Sequence, residues 1–325
     1  MKIAINGLGR IGRNILRAAL NKNVEIVAVN DIMDIELAAY LLKNDTVRGA
    51  LDVEIIDSET LKIENKIVFY SKASHPKETS FEEADVVLEC SGKFLTSKEV
   101  EGHIKGEVKK VIISAPAADN TPTYVLGVNH KDYNGERIIS NASCTTNCLA
   151  PIAKILDENY GIEKGFMTTV HSYTMDQKLL DAPNYRDIRR SRAAAVNIIP
   201  TFTGAAKAVY KVLPNLKGKL DGRSVRVPVA NVSLMDLVLE LEKETDAAEI
   251  NELLEFHSKT DMKNIIEIDR EYKVSSDINS NPSSAVIAAD LTQCNGNLVK
   301  LFAWYDNEWG YSNRMVEMAS YIFNK

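Results

Sequence analysis

A cysteine set in a run of small polar residues, SNASCTTNC at 140–148, is where this chain could do covalent chemistry. Leu149 to Leu156 carries a helical apolar pattern, so Cys144 is expected in the first turn of a helix, with Ser143 as its cap. In that position the helix dipole favours a thiolate, and open backbone N–H groups can hold an oxyanion. A nucleophilic sulfur also needs a proton acceptor. Of five histidines, His171 stands out because it ends an apolar strand, Gly165 to Val170, and precedes Ser172-Tyr173-Thr174. Spacing alone leaves it open between an acid/base group and a hydrogen-bonded strand-end residue. His75, His103 and His257 sit among polar neighbours and are expected in solvent, and His130 is expected in a turn after a strand at Tyr124 to Val128. Cys148, one helical turn on, reads as a buried small hydrophobe, and Cys90 and Cys294 read as structural. Pro151 falls inside the expected helix and predicts a kink or a late start.

A second constellation lies at the N-terminus. The strand-like run Lys2 to Asn6 leads into Gly7-Leu8-Gly9-Arg10-Ile11-Gly12, and Ile11 to Leu20 is helical in period. Gly7 permits a tight turn, Gly9 lets backbone approach a pyrophosphate, and Gly12 lets helix and strand pack closely. Glu25 to Asn30 is a second strand, ending at Asp31, where a carboxylate can accept bonds from a ribose diol and repel a 2′-phosphate. NAD is therefore expected over NADP. Strands at Lys66 to Tyr70, Asp85 to Cys90, Lys109 to Ser114 and Ile138 to Ser140 continue the alternation. The expected class is α/β, a doubly wound parallel Rossmann-type sheet whose ligand sits beyond the strand ends, near Ser91-Gly92 and Ser114-Ala115-Pro116. Strands at Ser224–Val227, Ser233–Leu241 and Leu298–Tyr305 predict an α+β second domain with a mostly antiparallel sheet. The expected division is residues 1–143 and 144–306, with a final helical segment at 307–325.

The chain has 325 residues, 45% of them hydrophobic and 26% charged, with a net charge of −6. That composition supports a sizeable core and excludes a disordered chain, and its mild acidity argues against nucleic acid as the main partner. No apolar run approaches a membrane span, no secretory pattern opens the sequence, and four cysteines without a C-x-x-C pair suggest neither a disulfide scaffold nor a tetrathiolate metal site. A cytoplasmic location is expected.

Beyond these patterns, INGLGRIGR (5–13), SNASCTTNCLAP (140–151), TVHSYT (169–174), RRSRAAAVNIIPTFTGAAKAV (189–209), RVPVANVSLMDL (226–237) and WYDNEWGYSNR (304–314) resemble the phosphorylating glyceraldehyde-3-phosphate dehydrogenases over essentially the whole chain. The resemblance implies Cys144 as nucleophile and His171 as its acid/base partner. It implies Thr174 and Arg226 around the substrate's phosphate, and Ser143, Thr145, Arg190, Thr203 and Gly204 around an attacking phosphate. It implies Arg10 and Ile11 at the pyrophosphate, Asp31 at the adenosine ribose, Ser114 near the nicotinamide ribose, and Asn307 at the carboxamide. Taken alone, each arginine reads more readily as a surface ion-pair residue, and Arg189 and Arg192 are expected to be pairing or interface residues. A homotetramer is implied, in which a long loop at about 173–197 crosses toward a neighbour's cofactor, and the helix at 307–325 is implied to pack back on the NAD-binding domain. The chain departs from the common pattern at Met175, Phe202 and Arg48. The first two adjoin anion-site residues and are expected to alter those sites. The implied reaction is NAD-dependent oxidation of D-glyceraldehyde 3-phosphate with phosphate uptake. Erythrose-4-phosphate oxidation is the nearest alternative, and a non-catalytic binding protein on the same scaffold is an alternative of another class.

Overall fold

Apolar strands alternating with helices build the first of two units, Met1–Tyr124 with His130–Ser143 and Ser312–Lys325. The structure is a computed structural model and describes all 325 residues. In chain order this unit contains β1 (Lys2–Asn6), α1 (Arg10–Asn21), β2 (Glu25–Asn30), α2 (Ile35–Lys43), β3 (Val53–Asp57), β4 (Thr60–Ile63), β5 (Lys66–Ser71), β6 (Val86–Glu89), the short α3 (Ser97–Val100), β7 (Lys110–Ile113) and β8 (Ile138–Ser140). The sheet order is β3-β4-β5-β2-β1-β6-β7-β8. Every pair is parallel except β3–β4 and β4–β5. The chain reverses its direction of travel across the sheet between β1 and β6, which opens a crevice beyond their carboxyl ends. Ile3, Ile5, Val87, Leu88, Val111 and Ile112 are fully buried, as expected of strands covered on both faces.

The second unit, Val125–Asn129 with Cys144–Tyr311, has a mixed sheet. Its elements are α4 (Cys144–Tyr160), β9 (Ile162–Ser172), β10 (Ile199–Phe202), the short α5 (Ala205–Ala208), β11 (Leu220–Val227), β12 (Ser233–Leu241), α6 (Ala247–Lys259), β13 (Ile266–Asp269), β14 (Ala285–Ala288), β15 (Gln293–Asn295), β16 (Leu298–Tyr305) and α7 (Trp309–Phe323). The order is β10-β11-β9-β12-β16-β14-β13, with β15 also on β16. Two pairings, β11–β9 and β13–β14, are parallel and the rest antiparallel. Strand β12 alternates buried and half-buried residues along its whole length, the pattern of a sheet packed mainly on one face. From Ser312 onward α7 belongs to the first unit, and Met315, Val316, Met318, Ala319 and Ile322 are buried.

Three local expectations are corrected. Helix α4 starts at Cys144 and runs through Pro151, so there is no late start. Leu149, Ala150, Ile152, Ala153, Ile155 and Leu156 are all fully buried around the proline, and that packing outweighs one missing hydrogen bond. No strand forms at 124–128, where Gly127 takes φ +82° and turns the chain. His103 is fully buried rather than solvated, and His257 is half-buried against Asp261, its Nδ1 2.7 Å from the carboxylate.

Candidate active site

The register of the second sheet assembles the chemistry. In the parallel β9–β11 pair, His171 lies opposite Arg226 and Ser172 opposite Val227. Thr169 and His171, two apart on β9, share a face. Helix α4 places Cys144 on that face, with Sγ 3.8 Å from His171 Nε2 and 3.9 Å from Thr145 Oγ1. His171 Nδ1 lies 2.7 Å from the Ser172 carbonyl, which can only accept, so Nδ1 carries the ring proton and the Nε2 lone pair faces the sulfur. The arrangement is that of a nucleophile, a base and a group orienting the base. Tyr305 completes the floor: its hydroxyl lies 3.1 Å from Thr145 Oγ1 and 2.6 Å from Thr169 Oγ1, and its ring meets His171 edge-on.

Burial sets the resting charge. It raises the Cys144 thiol, against the opposing pull of Thr145 and Arg226. It also lowers His171 to about 3, helped by repulsion from Arg226. An ion pair at 3.8 Å would gain about 4 kcal/mol at an effective dielectric of 20, roughly three pKa units. Burial works against that gain on both partners, raising the thiol and lowering the imidazole. Both directions favour the neutral pair, with the proton on sulfur. Burial thus opposes the helix position, which favours a standing thiolate.

Beside the pair lies a cationic pocket. Arg226 Nη1 donates to Ser172 O at 3.1 Å and to Thr174 Oγ1 at 3.0 Å, while its buried Nε has no hydrogen-bond partner. Burial and then repulsion from Arg190 lower Arg226. An anion here would satisfy the orphaned Nε and relieve that repulsion. Asp176, not singled out from the sequence, accepts from both Thr174 Oγ1 and Arg190 Nη1. Arg190 also reaches Thr201 Oγ1 at 3.4 Å and lies 3.6 Å from Asp187. Met175 and Phe202 are 79% and 70% exposed, so neither large side chain fills the pocket. Thr203 Oγ1 accepts from Ala205 N at the start of α5, preceded by exposed Gly204. Ser143 is half-buried immediately before Cys144, and Arg192 pairs with Asp181 as expected of a surface arginine. Asn307 is buried, its Oδ1 accepting from Ser172 Oγ at 2.9 Å and Ser233 Oγ at 3.0 Å, which leaves its amide nitrogen to serve as a donor.

The glycine turn of the first unit fits a dinucleotide. Gly7 has φ +96°, and a Cβ there would lie 2.6 Å from the Ser91 backbone. A Cβ on Gly12 would lie 1.9 Å from Gly7 O, whereas one on Gly9 would meet nothing within 4 Å. Gly9 therefore fronts open space at the start of α1 and caps it with no side chain. Asp31, at the end of β2, is half-buried and its Oδ2 accepts from Leu8 N at 2.6 Å, tying the carboxylate to the turn. Arg10 turns its side chain to Asp45 at 2.5 Å, so only its backbone, with that of Ile11, faces the cradle role. Ser114 N donates to Glu89 O at the end of β6, and its side chain hydrogen-bonds Cys90, at the same sheet edge.

A Rossmann-type nucleotide unit, together with a unit carrying a Cys–His pair and an arginine-lined anion pocket, defines an oxidoreductase. Family models described as the glyceraldehyde 3-phosphate dehydrogenase NAD binding domain and C-terminal domain match residues 1–97 and 143–307. Glyceraldehyde-3-phosphate dehydrogenase 1 of Bacillus cereus is 50% identical over 331 residues, covering 100% of this chain and 99% of that protein. The Priestia megaterium glyceraldehyde-3-phosphate dehydrogenase is 51% identical with the same coverage, and that of Helicobacter pylori is 48% identical with 100% of both chains covered. The chain belongs to the glyceraldehyde-3-phosphate dehydrogenase family, and its cofactor is NAD. No helix is long and apolar enough to cross a membrane.

Proposed function

We propose that the chain catalyses NAD-dependent oxidation of D-glyceraldehyde 3-phosphate with uptake of phosphate, giving 1,3-bisphosphoglycerate. The observation that carries this reading is Cys144 Sγ held 3.8 Å from the unprotonated nitrogen of His171, beside an arginine with an unfilled donor. Gly7, Gly9, Gly12, Asp31 and the backbone of Arg10 and Ile11 hold the cofactor's phosphate and ribose groups, with Ser114 and Asn307 toward its nicotinamide. When bound, NAD supplies the two-electron acceptor.

Cys144 adds to the aldehyde carbon. Its proton passes by way of His171 Nε2 to the former carbonyl oxygen, and the product is a hemithioacetal. His171 Nε2 then takes the hydroxyl proton as that carbon is oxidised, leaving a thioester on Cys144 and an imidazolium. Arg226 and Thr174 hold the substrate's phosphate and fix the carbon over the sulfur. Arg190 and Thr203, with Ser143, Thr145 and Gly204 around them, orient inorganic phosphate for attack on the thioester. Cys144 leaves and recovers its proton from His171, while the acyl phosphate departs. Formation of NADH from glyceraldehyde 3-phosphate, NAD and phosphate tests this directly. Activity that prefers erythrose 4-phosphate, or none at all, refutes it.

The reading extends to a cytoplasmic homotetramer. Met175, Leu179, Leu180, Tyr185, Ile188, Val196, Ile198 and Phe202 are each at least 70% exposed within one segment, an apolar surface that supports contact with further copies of the chain. Sedimentation equilibrium at micromolar concentration should give four chains, and a monomer would overturn this extension.

A further inference from the structure

Glu89 and His103 are the most deeply buried titratable pair that the mechanism leaves unused: their side chains are 1% and 0% exposed. They lie at the carboxyl end of β6, under the glycine turn. Gly102, whose Cβ would meet Lys77 N at 2.8 Å, lets the turns at Pro76–Glu78 and Glu101–His103 lie against each other and brings His103 onto Thr79. Proton counting then fixes the state of the ring. Thr79 Oγ1 donates its only proton to Pro76 O at 2.9 Å. The same oxygen, 3.2 Å from His103 Nδ1, must accept there. His103 Nε2 lies 3.0 Å from Glu89 Oε2, so both ring nitrogens donate and the ring is an imidazolium facing a carboxylate. Phe81 stacks on the ring at 5.6 Å.

The carboxylate is fully used. Oε2 also accepts from Asn6 Nδ2 at 2.6 Å, and Oε1 accepts from Ser91 N at 2.8 Å and Ser91 Oγ at 2.5 Å. Asn6 precedes Gly7, and Ser91 is the residue whose backbone Gly7 rests on. One carboxylate thus grips both walls of the turn. From Asn6 the bonds continue to Asn30, whose Nδ2 donates to Asn6 Oδ1 at 2.8 Å and whose Oδ1 accepts from Ser71 Oγ and Ala73 N, each at 2.7 Å. The chain of bonds crosses the ends of β6, β1, β2 and β5.

We propose that Glu89 and His103 form a buried ion pair that positions the glycine turn for the cofactor's pyrophosphate. His103 is a positioning residue: it holds Glu89 charged and oriented, and Glu89 holds Asn6 and Ser91. The proposal rests on the reading that NAD occupies this cradle. Substituting one partner strands the other in a buried site and lets the two walls separate.

NAD affinity measured by calorimetry on the wild type, Glu89→Gln, His103→Gln and the double variant tests it. Each single variant should bind at least about ten-fold more weakly, the scale of one uncompensated buried hydrogen-bonding group. The double variant should bind better than the two losses combined predict. Cys144 alkylation by iodoacetamide should be unchanged throughout. Single variants that bind NAD as tightly as the wild type overturn the proposal. Should the variants fail to fold, ¹⁵N spectra of the wild type decide: protons on both His103 ring nitrogens at neutral pH support the pair, and a single protonated nitrogen refutes it. A wild type that binds no NAD overturns the cofactor site instead, and the spectra still test the pair.

Discussion

Replacing His171 by asparagine removes the only base that the structure places against the sulfur. The proton that rests on Cys144 then has to leave to water. With burial raising the thiol, only a small fraction of molecules carries the thiolate at pH 7. The oxidation step loses its proton acceptor as well. The expected fall in kcat/KM is about 10²–10⁴, or roughly 2.7–5.4 kcal/mol of transition-state stabilisation. Folding should suffer far less. The variant loses the 2.7 Å bond to Ser172 O, which keeps its partner Arg226, and the edge-on contact with Tyr305. Together these are worth about 2 kcal/mol. Steady-state NADH formation across pH checks the argument, with urea unfolding as the control. The residual activity should climb about ten-fold per pH unit toward pH 9, because only the ionised fraction reacts. A variant within about ten-fold of the wild type at pH 7, or one with a flat pH profile, would refute the reasoning.

Arg226→Lys keeps a charge but loses the planar fork that meets Ser172 O and Thr174 Oγ1, so KM for glyceraldehyde 3-phosphate should rise by about 10- to 100-fold while NAD affinity holds. An unchanged KM would remove Arg226 from the anion pocket. In the ligand-free protein, iodoacetamide should modify Cys144 at a rate that keeps rising above pH 9, since burial raises the thiol; a plateau by pH 7 would mean a resting ion pair. Asp119 is held down to about 2 from 3.8: burial works against this, but bonds from Thr121 and Ser97 prevail. Its lowered folded-state value stabilises the first unit above about pH 4, and that contribution is lost as pH falls toward 2, so Asp119→Ala should flatten this limb of an acid-unfolding curve.

What was legible in the sequence was whatever local spacing dictates. The glycine turn, the acid at the end of β2, and the cysteine at a helix start all follow from residues within a turn or a strand of one another. The pairing of His171 with Arg226 was not available in this way, because strand register joins residues 55 apart. His103 misled for a related reason: its sequence neighbours are polar, but two turns fold it against β6 and its charge is matched from 14 residues away. Pro151 argued locally for a kink or a late start, and the late start is overridden by the surrounding apolar burial. Met175 and Phe202 adjoin anion-site residues in the sequence, and only the structure shows both side chains turned outward. Tyr305 lay inside a recognised motif, but only the sheet shows its hydroxyl bridging Thr145 and Thr169.

The most direct test of the central claim is to mix the protein with NAD and glyceraldehyde 3-phosphate in phosphate-free buffer, quench in acid, and map the adduct by mass spectrometry. A single 3-phosphoglyceroyl group on Cys144, discharged when phosphate is added before the quench, is the predicted result. NADH formed at normal rate with no acyl group on Cys144, or with the group on another residue, would contradict the account.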